Sequence, residues 1–198
     1  MKLSIMVAAY NQEELIKRCL NSIPVRDDIE VVIVDDFSTD STLDSIQSFI
    51  EQTDLKVNLI LHTENLGGAE AYNTCMDNCT GEYIYQIDND DYLLTGNFER
   101  AMDELDGTDI VYIKAQSNDG TVLETGDDNH NLCAGWFKFI RREYLGNIRR
   151  PNNSHGGDYE MNLELIKKPH TSKKLDLICY HYNYPREGSM IWNLTHGN

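Results

Sequence analysis

The chain has 198 residues, 40% hydrophobic and 25% charged, which fits one globular domain with a substantial core and argues against two full domains. Its formal net charge of −16 repels polyanions at long range, so electrostatically driven binding to nucleic acid or to an anionic membrane surface is disfavoured. No apolar stretch approaches the roughly 20 residues of a bilayer span, and no membrane span is expected.

The opening Met-Lys-Leu-Ser-Ile-Met-Val-Ala-Ala-Tyr superficially resembles a signal peptide, but its apolar run is short and proceeds into Asn11-Gln12-Glu13-Glu14. It reads as a first strand over residues 3–8. Leu15, Ile16, Cys19, Leu20 and Ile23 recur at helical spacing, with Pro24 just after, and 29–34 (Ile-Glu-Val-Val-Ile-Val) reads as a second buried strand. Leu43, Ile46, Phe49 and Ile50 mark a helix behind the capping cluster Ser38-Thr39-Asp40-Ser41. A strand at 57–61, a helix at 68–79, a strand at 82–87, a helix at 97–105 and a strand at 109–114 continue the alternation. The pattern predicts an α/β domain with a mostly parallel, Rossmann-like sheet flanked by helices. After residue 115 the rhythm gives way to Gly, Asn and Asp-rich turns. A helix at 158–168, entered from Gly156-Gly157 and stopped by Pro169, precedes a strand at 175–184. There is no internal repeat and no low-complexity linker.

The five cysteines, odd in number and without a CxxC pair, fit a reducing, cytoplasmic setting. Cys75 and Cys79 read as small residues on a helix packing face, in preference to soft metal ligands. Arg141-Arg142 and Arg149-Arg150 are the densest basic pairs. They read as a solvated face, with contact to an anionic acceptor as the alternative.

Open α/β sheets bind ligands beyond the carboxyl ends of their strands. Three polar clusters fall at such ends: Ala9-Tyr10-Asn11, Asp35-Asp36-Phe37-Ser38, and Asp88-Asn89-Asp90-Asp91. Hard cations such as Mg²⁺ and Mn²⁺ take oxygen ligands and need only one or two carboxylates when a substrate's phosphates supply the rest. Asp88 and Asp90 suit that role, although Asp and Asn also build turns readily. Asp36 can accept from a nucleobase edge or cap the following helix. Glu64-Asn65-Leu66-Gly67-Gly68-Ala69 places two glycines before a helix N-terminus, which favours a polar ligand. Neither G-x-G-x-x-G nor a phosphate loop ending in G-K-[ST] occurs.

These motifs, in this order and spacing, resemble family 2 glycosyltransferases: Ser-Ile-Met-Val-Ala-Ala-Tyr-Asn-Gln-Glu-Glu, Val-Val-Ile-Val-Asp-Asp-Phe-Ser-Thr-Asp-Ser-Thr, Glu-Asn-Leu-Gly-Gly-Ala, Gly-Glu-Tyr-Ile-Tyr-Gln-Ile-Asp-Asn-Asp-Asp and Gly-Gly-Asp-Tyr-Glu. The resemblance is dense over residues 3–91 and beyond residue 100 rests mainly on Gly157-Asp158-Tyr159-Glu160. It implies a GT-A fold in one domain, with a donor half at 1–114 and a smaller acceptor-side region at 115–198. It also implies inverting transfer of a sugar from a nucleotide-sugar donor, a UDP-sugar first, assisted by Mn²⁺ or Mg²⁺. Carried over by residue, Ala8 and Tyr10 line the base pocket, Asp36 meets the uracil-like edge and Asn65 faces the nucleotide. Asp88 holds the ribose or assists the metal, Asp90 ligates it, and Asp158 matches the catalytic base, whose competing reading is an N-terminal helix cap.

Other assignments are less direct. His181 is a candidate to complete the metal shell or a hydrogen-bonded packing residue among Tyr180, Tyr182 and Tyr184. Trp136 is a candidate acceptor platform, and burial explains it equally well. His155 borders the acceptor or is an exposed loop histidine. Tyr72 stands where many relatives carry an arginine, which removes a positive charge from the diphosphate site and leaves the metal or a residue such as Arg186 to compensate. The acceptor is expected to be a hydroxyl of a glycan or glycoconjugate. Two alternatives remain at this point: a sugar nucleotidyltransferase and a non-catalytic nucleotide or glycan-binding module.

Overall fold

The first apolar runs form β1 (Leu3–Ala9) and β2 (Ile29–Asp35), and every residue of both is buried. Strands covered on both faces need no polar side, which is why these segments are mostly apolar without alternating, and two polar residues within them satisfy each other, Ser4 Oγ donating to Glu30 Oε1 at 2.6 Å. The computed structural model describes residues 1–127, 137–152 and 157–185. β3 (Lys56–Leu61) pairs in parallel with β2, and β4 (Tyr83–Gln86) in parallel with β1. The connections carry α1 (Ile16–Asn21), α2 (Thr42–Gln52) and α3 (Gly68–Asp77). This is the β/α alternation expected of the first half.

The second half is mixed. It contributes β5 (Tyr92–Leu93), α4 (Thr95–Asp103), β6 (Ile110–Ser117), β7 (Val122–Leu123), β8 (Lys138–Arg141), α5 (Arg142–Leu145), α6 (Asp158–Lys167) and β9 (Ser172–Tyr182). Among the described residues one sheet runs β3-β2-β1-β4-β8-β6-β9-β5, with β7 paired to β6. β8 lies antiparallel between β4 and β6, and β9 runs parallel to β6. The last strand starts at Ser172, earlier than the expected 175, because Asp109 caps its start: Oδ2 accepts from Thr171 N at 2.9 Å and Oγ1 at 3.0 Å.

Two cores follow from the period of two along each strand. Leu3, Ile5, Val7, Val31 and Ile33 face α1, α2 and α4, where Leu20, Ile46 and Phe98 meet them. Met6, Ala8, Val32 and Val34 face α3, α5 and α6, meeting Cys75, Met76, Leu145 and Leu165. The four described cysteines are buried and free, and burial pushes the Cys79 thiol up to about 12. Cys75 and Cys79 are packing residues, as their spacing suggests.

Gly81 is fixed by what surrounds it. A Cβ there would sit 2.6 Å from Ser4 N and 2.7 Å from Leu3 C, both backbone atoms of a central strand. Gly81→Ala is therefore expected to cost about 1–3 kcal/mol by overpacking. At a few degrees per kcal/mol for a chain of this size, the melting temperature should fall by roughly 2–12 °C. A thermal melt with unchanged stability would contradict this close approach.

Candidate active site

The carboxyl ends of β1, β2 and β4 deliver three loops to one edge. The first two are knitted together: Asn11 N donates to Ser38 Oγ at 3.1 Å, and Thr39 N to Asn11 Oδ1 at 2.8 Å. Asn11 tolerates its φ of 49°, but Phe37 at φ 66° is an uncommon conformation for a bulky side chain. The result leaves Tyr10 43% and Phe37 50% exposed at the loop tips. Ala8 lies lower, buried, with its carbonyl accepting from Asn89 Nδ2 at 2.6 Å.

Asp36, the residue before the exposed Phe37, is by contrast 2% exposed. Its Oδ1 accepts from Leu66 N at 2.9 Å and lies 2.6 Å from His62 Nδ1, while Oδ2 accepts from Gly67 N at 2.8 Å. The carboxylate thus fixes the Gly67-Gly68 loop that leads into α3, with Asn65 exposed beside it. Gly67 adopts φ 88°, a left-handed conformation open to glycine. A carboxylate has about four lone-pair positions, so three donors leave Asp36 room for one more.

The acidic loop after β4 separates into distinct roles. Asp91 is 1% exposed, with Oδ2 accepting from Tyr180 Oη at 2.6 Å and Oδ1 from Asn183 N at 2.8 Å. It anchors the loop to β9. Asp88 Oδ1 accepts from Tyr72 Oη and from Gln86 Nε2, both at 2.7 Å, and Tyr180 Oη accepts from Asp88 N at 3.1 Å. Burial, then the charge of Asp90, pushes the Asp88 carboxyl up to about 6. Asp90 is partly exposed, and Arg18 donates to its carbonyl at 2.9 Å.

Asp158 enters the same neighbourhood from the opposite half. It is the first residue of α6, preceded by Gly157 at φ 71°, where a Cβ would lie 2.5 Å from Pro151 O. Its Oδ1 is 3.3 Å from Arg150 Nη1. Burial raises its carboxyl above the ordinary carboxylate range, while Arg150 and Lys138 oppose that rise. Its charge in turn raises Asp88, so the two groups share one electrostatic field.

The expected solvated face at Arg149-Arg150 is corrected for Arg150. Its side chain is 3% exposed, with the guanidinium 4.3 Å above the Tyr72 ring and bonded to Gln86 Oε1. The basic pair was visible in the sequence; that its second member turns inward was not. His62 likewise enters the site without a sequence signal beyond its nearness to the motifs, whereas Tyr72 stands at the position where many relatives carry an arginine and Gln86 lies inside the motif that ends in the acidic loop.

His181 is stacked on Tyr92, centroids 4.3 Å apart and planes 10° off parallel, with Arg18 over the same ring at 4.6 Å. Burial and Arg18 lower its affinity for a proton, and its buried Nδ1 has no hydrogen-bond partner among the described residues. Among those residues no group of three or more His, Cys, Asp or Glu is arranged to hold a metal. Asp88 and Asp90 remain as a pair of hard oxygen donors. Their crowded negative charge fits a divalent cation that takes its other ligands from a substrate. Trp136, His155 and Arg186 lie outside the described residues.

The raised Asp88 carboxyl has a measurable consequence. Its folded value of about 6 exceeds the unfolded value of about 4, so its contribution to stability is intact below pH ~4 and is lost as pH rises through about 6. Without metal, Asp88→Asn is therefore expected to melt above the wild type at pH 7.5. That gap should close by pH 4; a constant gap across calorimetric scans would contradict the assignment.

Comparison with known proteins supplies the family. The model for "Glycosyl transferase family 2" matches residues 4–163. The chain belongs to glycosyl transferase family 2. The family match runs from β1 into α6 and so contains both the acidic loop and Asp158. The chain is 33% identical over 126 residues to the poly(ribitol-phosphate) beta-N-acetylglucosaminyltransferase TarS of Staphylococcus aureus. That alignment covers 61% of this chain and 22% of TarS, so the chain spans under a quarter of that relative's length. The structure of TarS 1-349 in complex with UDP-GlcNAc superposes with a TM-score of 0.81 at 25% identity, covering 96% of this chain and 60% of that one. The mannosyltransferase PcManGT from Pyrobaculum calidifontis, solved with GDP-Man and Mn²⁺, has a TM-score of 0.76 at 22% identity, covering 98% and 60%. The fold is therefore the α/β GT-A architecture that the motifs implied.

Proposed function

We propose that this chain transfers a sugar from a UDP-sugar to a hydroxyl group of a glycan or glycoconjugate, with inversion at the anomeric carbon. The observation that carries the reading is the convergence of Asp158, at the head of α6, on the acidic loop from the other half of the chain, the two linked through Arg150 and Gln86, within a family 2 glycosyltransferase. The UDP-GlcNAc complex of TarS supports a UDP-sugar donor, and the poly(ribitol-phosphate) in that relative's name supports a polyhydroxyl polymer as acceptor.

In this reading residues 1–114 hold the donor. Tyr10 and Ala8 flank the base, Asp36 accepts from its edge while keeping the Gly67 loop in place, and Asn65 faces the nucleotide. Asp88 and Asp90 would hold Mn²⁺ or Mg²⁺, which when bound neutralises charge developing on the departing diphosphate. Residues 115–198 form the acceptor side, where Asp158 takes the proton of the attacking hydroxyl as the new glycosidic bond forms and the bond to phosphate breaks. A base must lie within hydrogen-bond reach of that proton, and a carboxyl raised by burial is better matched to the task than an ordinary one. The free buried thiols support a reducing, cytoplasmic setting.

A thermal-shift screen of nucleotide sugars with and without Mn²⁺ tests the donor assignment. Binding at 100 times Kd stabilises the folded state by about 2.7 kcal/mol, a shift readily measured. UDP-sugars should raise the melting temperature only with the cation, and turnover should release UDP. Pyrophosphate release would assign a nucleotidyltransferase, and binding without turnover across acceptors a non-catalytic module.

A further inference from the structure

Arg149 and Arg150 are neighbours with opposite fates. Arg149 reaches Asp77 at the surface, 2.6 Å between Nη2 and Oδ1, whereas Arg150 points inward. Asn73 sets that direction by a two-way backbone clamp: Arg150 N donates to Asn73 Oδ1, and Asn73 Nδ2 donates to Arg150 O, each at 2.9 Å. The guanidinium then lies on the Tyr72 ring, donates to Gln86 Oε1 and pairs with Asp158 Oδ1. The Tyr72 hydroxyl and the Gln86 amide in turn both donate to Asp88 Oδ1. One cation thus touches Asp158 directly and reaches the donor-side carboxylate through two short intermediates. Stability alone does not explain this arrangement. A buried ion pair is often no better than an apolar replacement, and Arg150 Nε has no hydrogen-bond partner among the described residues.

We infer that Arg150 is a positioning residue for transfer, aiming the Asp158 carboxylate and holding Asp88 in register with it from its seat on Tyr72. The inference rests on the reading of Asp158 as base. Tyr72 therefore does more than remove a charge from α3: its ring is the platform for a cation supplied from the segment after α5, and its hydroxyl fixes Asp88. Lysine would restore the charge but neither the planar stack nor the simultaneous contacts to Gln86 and Asp158.

The test compares Arg150→Met, Arg150→Lys and Asp158→Asn with the wild type, reading kcat for transfer from a UDP-sugar with Mn²⁺ and, separately, donor Kd by calorimetry. Misplacing a reacting group by about 1 Å can cost about 100-fold. Arg150→Met is therefore expected to lower kcat by about that factor with donor Kd within about threefold, and Arg150→Lys to recover part of the loss. An unchanged kcat in either Arg150 variant, or a loss of donor affinity in step with kcat, overturns the inference. Should Arg150→Met fail to fold, Arg150→Lys carries the test: a lowered kcat at unchanged donor affinity supports positioning. The Asp158→Asn arm separates the two levels. Near-normal transfer there removes the base reading itself, whereas an inactive Asp158→Asn beside an unaffected Arg150→Met removes only the role of Arg150.

Discussion

Asp158→Asn is expected to lower kcat by roughly 10²–10⁴, the range contributed by a positioned general base, while donor affinity stays within about twofold. The substitution keeps shape and keeps an oxygen toward Arg150, so the loss isolates proton transfer. Folding should not suffer, because burial already disfavours the charge that the amide removes. The same burial sets the sign of the pH dependence. Asp158 must be ionised to accept a proton, so kcat should fall as pH drops through a value above the ordinary carboxylate range, and Asp158→Asn should lack that acid limb. Steady-state rates across pH, with donor titrations at each point, check both statements. An amide variant with near-normal kcat would remove Asp158 from the mechanism.

Asp90→Asn should separate metal-assisted chemistry from loop architecture. A preorganised group stabilising charge in the transition state is worth about 10²–10³ in kcat, and that loss is expected here together with a weaker response to added Mn²⁺. Asp91 gives the contrast. Asp91→Ala removes the acceptor of the Tyr180 hydroxyl and the Asn183 N–H, both buried, at a cost of about 1–3 kcal/mol in stability. Below its melting transition that variant should retain the wild-type Mn²⁺ dependence. Mn²⁺ titrations of rate and thermal melts of both variants decide the matter; a normal metal response in Asp90→Asn would exclude it as a ligand.

The part of the molecule most legible in its sequence is the part held by local pattern. β1 and β2 announce themselves because burial on both faces favours a mostly apolar run without alternation, and their polar ends follow where the sheet stops. Gly67 and Gly157 are readable because their positive φ values, 88° and 71°, select glycine there. The interior of the site was less legible because its contacts span long separations. Arg150 meets Gln86 across 64 positions, and Tyr180 meets Asp91 across 89. No local periodicity encodes which of two adjacent arginines turns inward. β5 and β7, two residues each, are too short to carry a pattern, and β8 is set by pairing with β4 and β6. Asp91, in the sequence only the last member of the acidic cluster, is a buried anchor whose partners lie on β9 and just beyond its end.

Inverting transfer from a UDP-sugar is read out by time-resolved proton NMR of the reaction. With an α-linked UDP-sugar, a hydroxyl acceptor and Mn²⁺, the first-formed product is expected to be a β-glycoside appearing in a one-to-one ratio with UDP. An α-glycoside as the first product, or pyrophosphate in place of UDP, would contradict it.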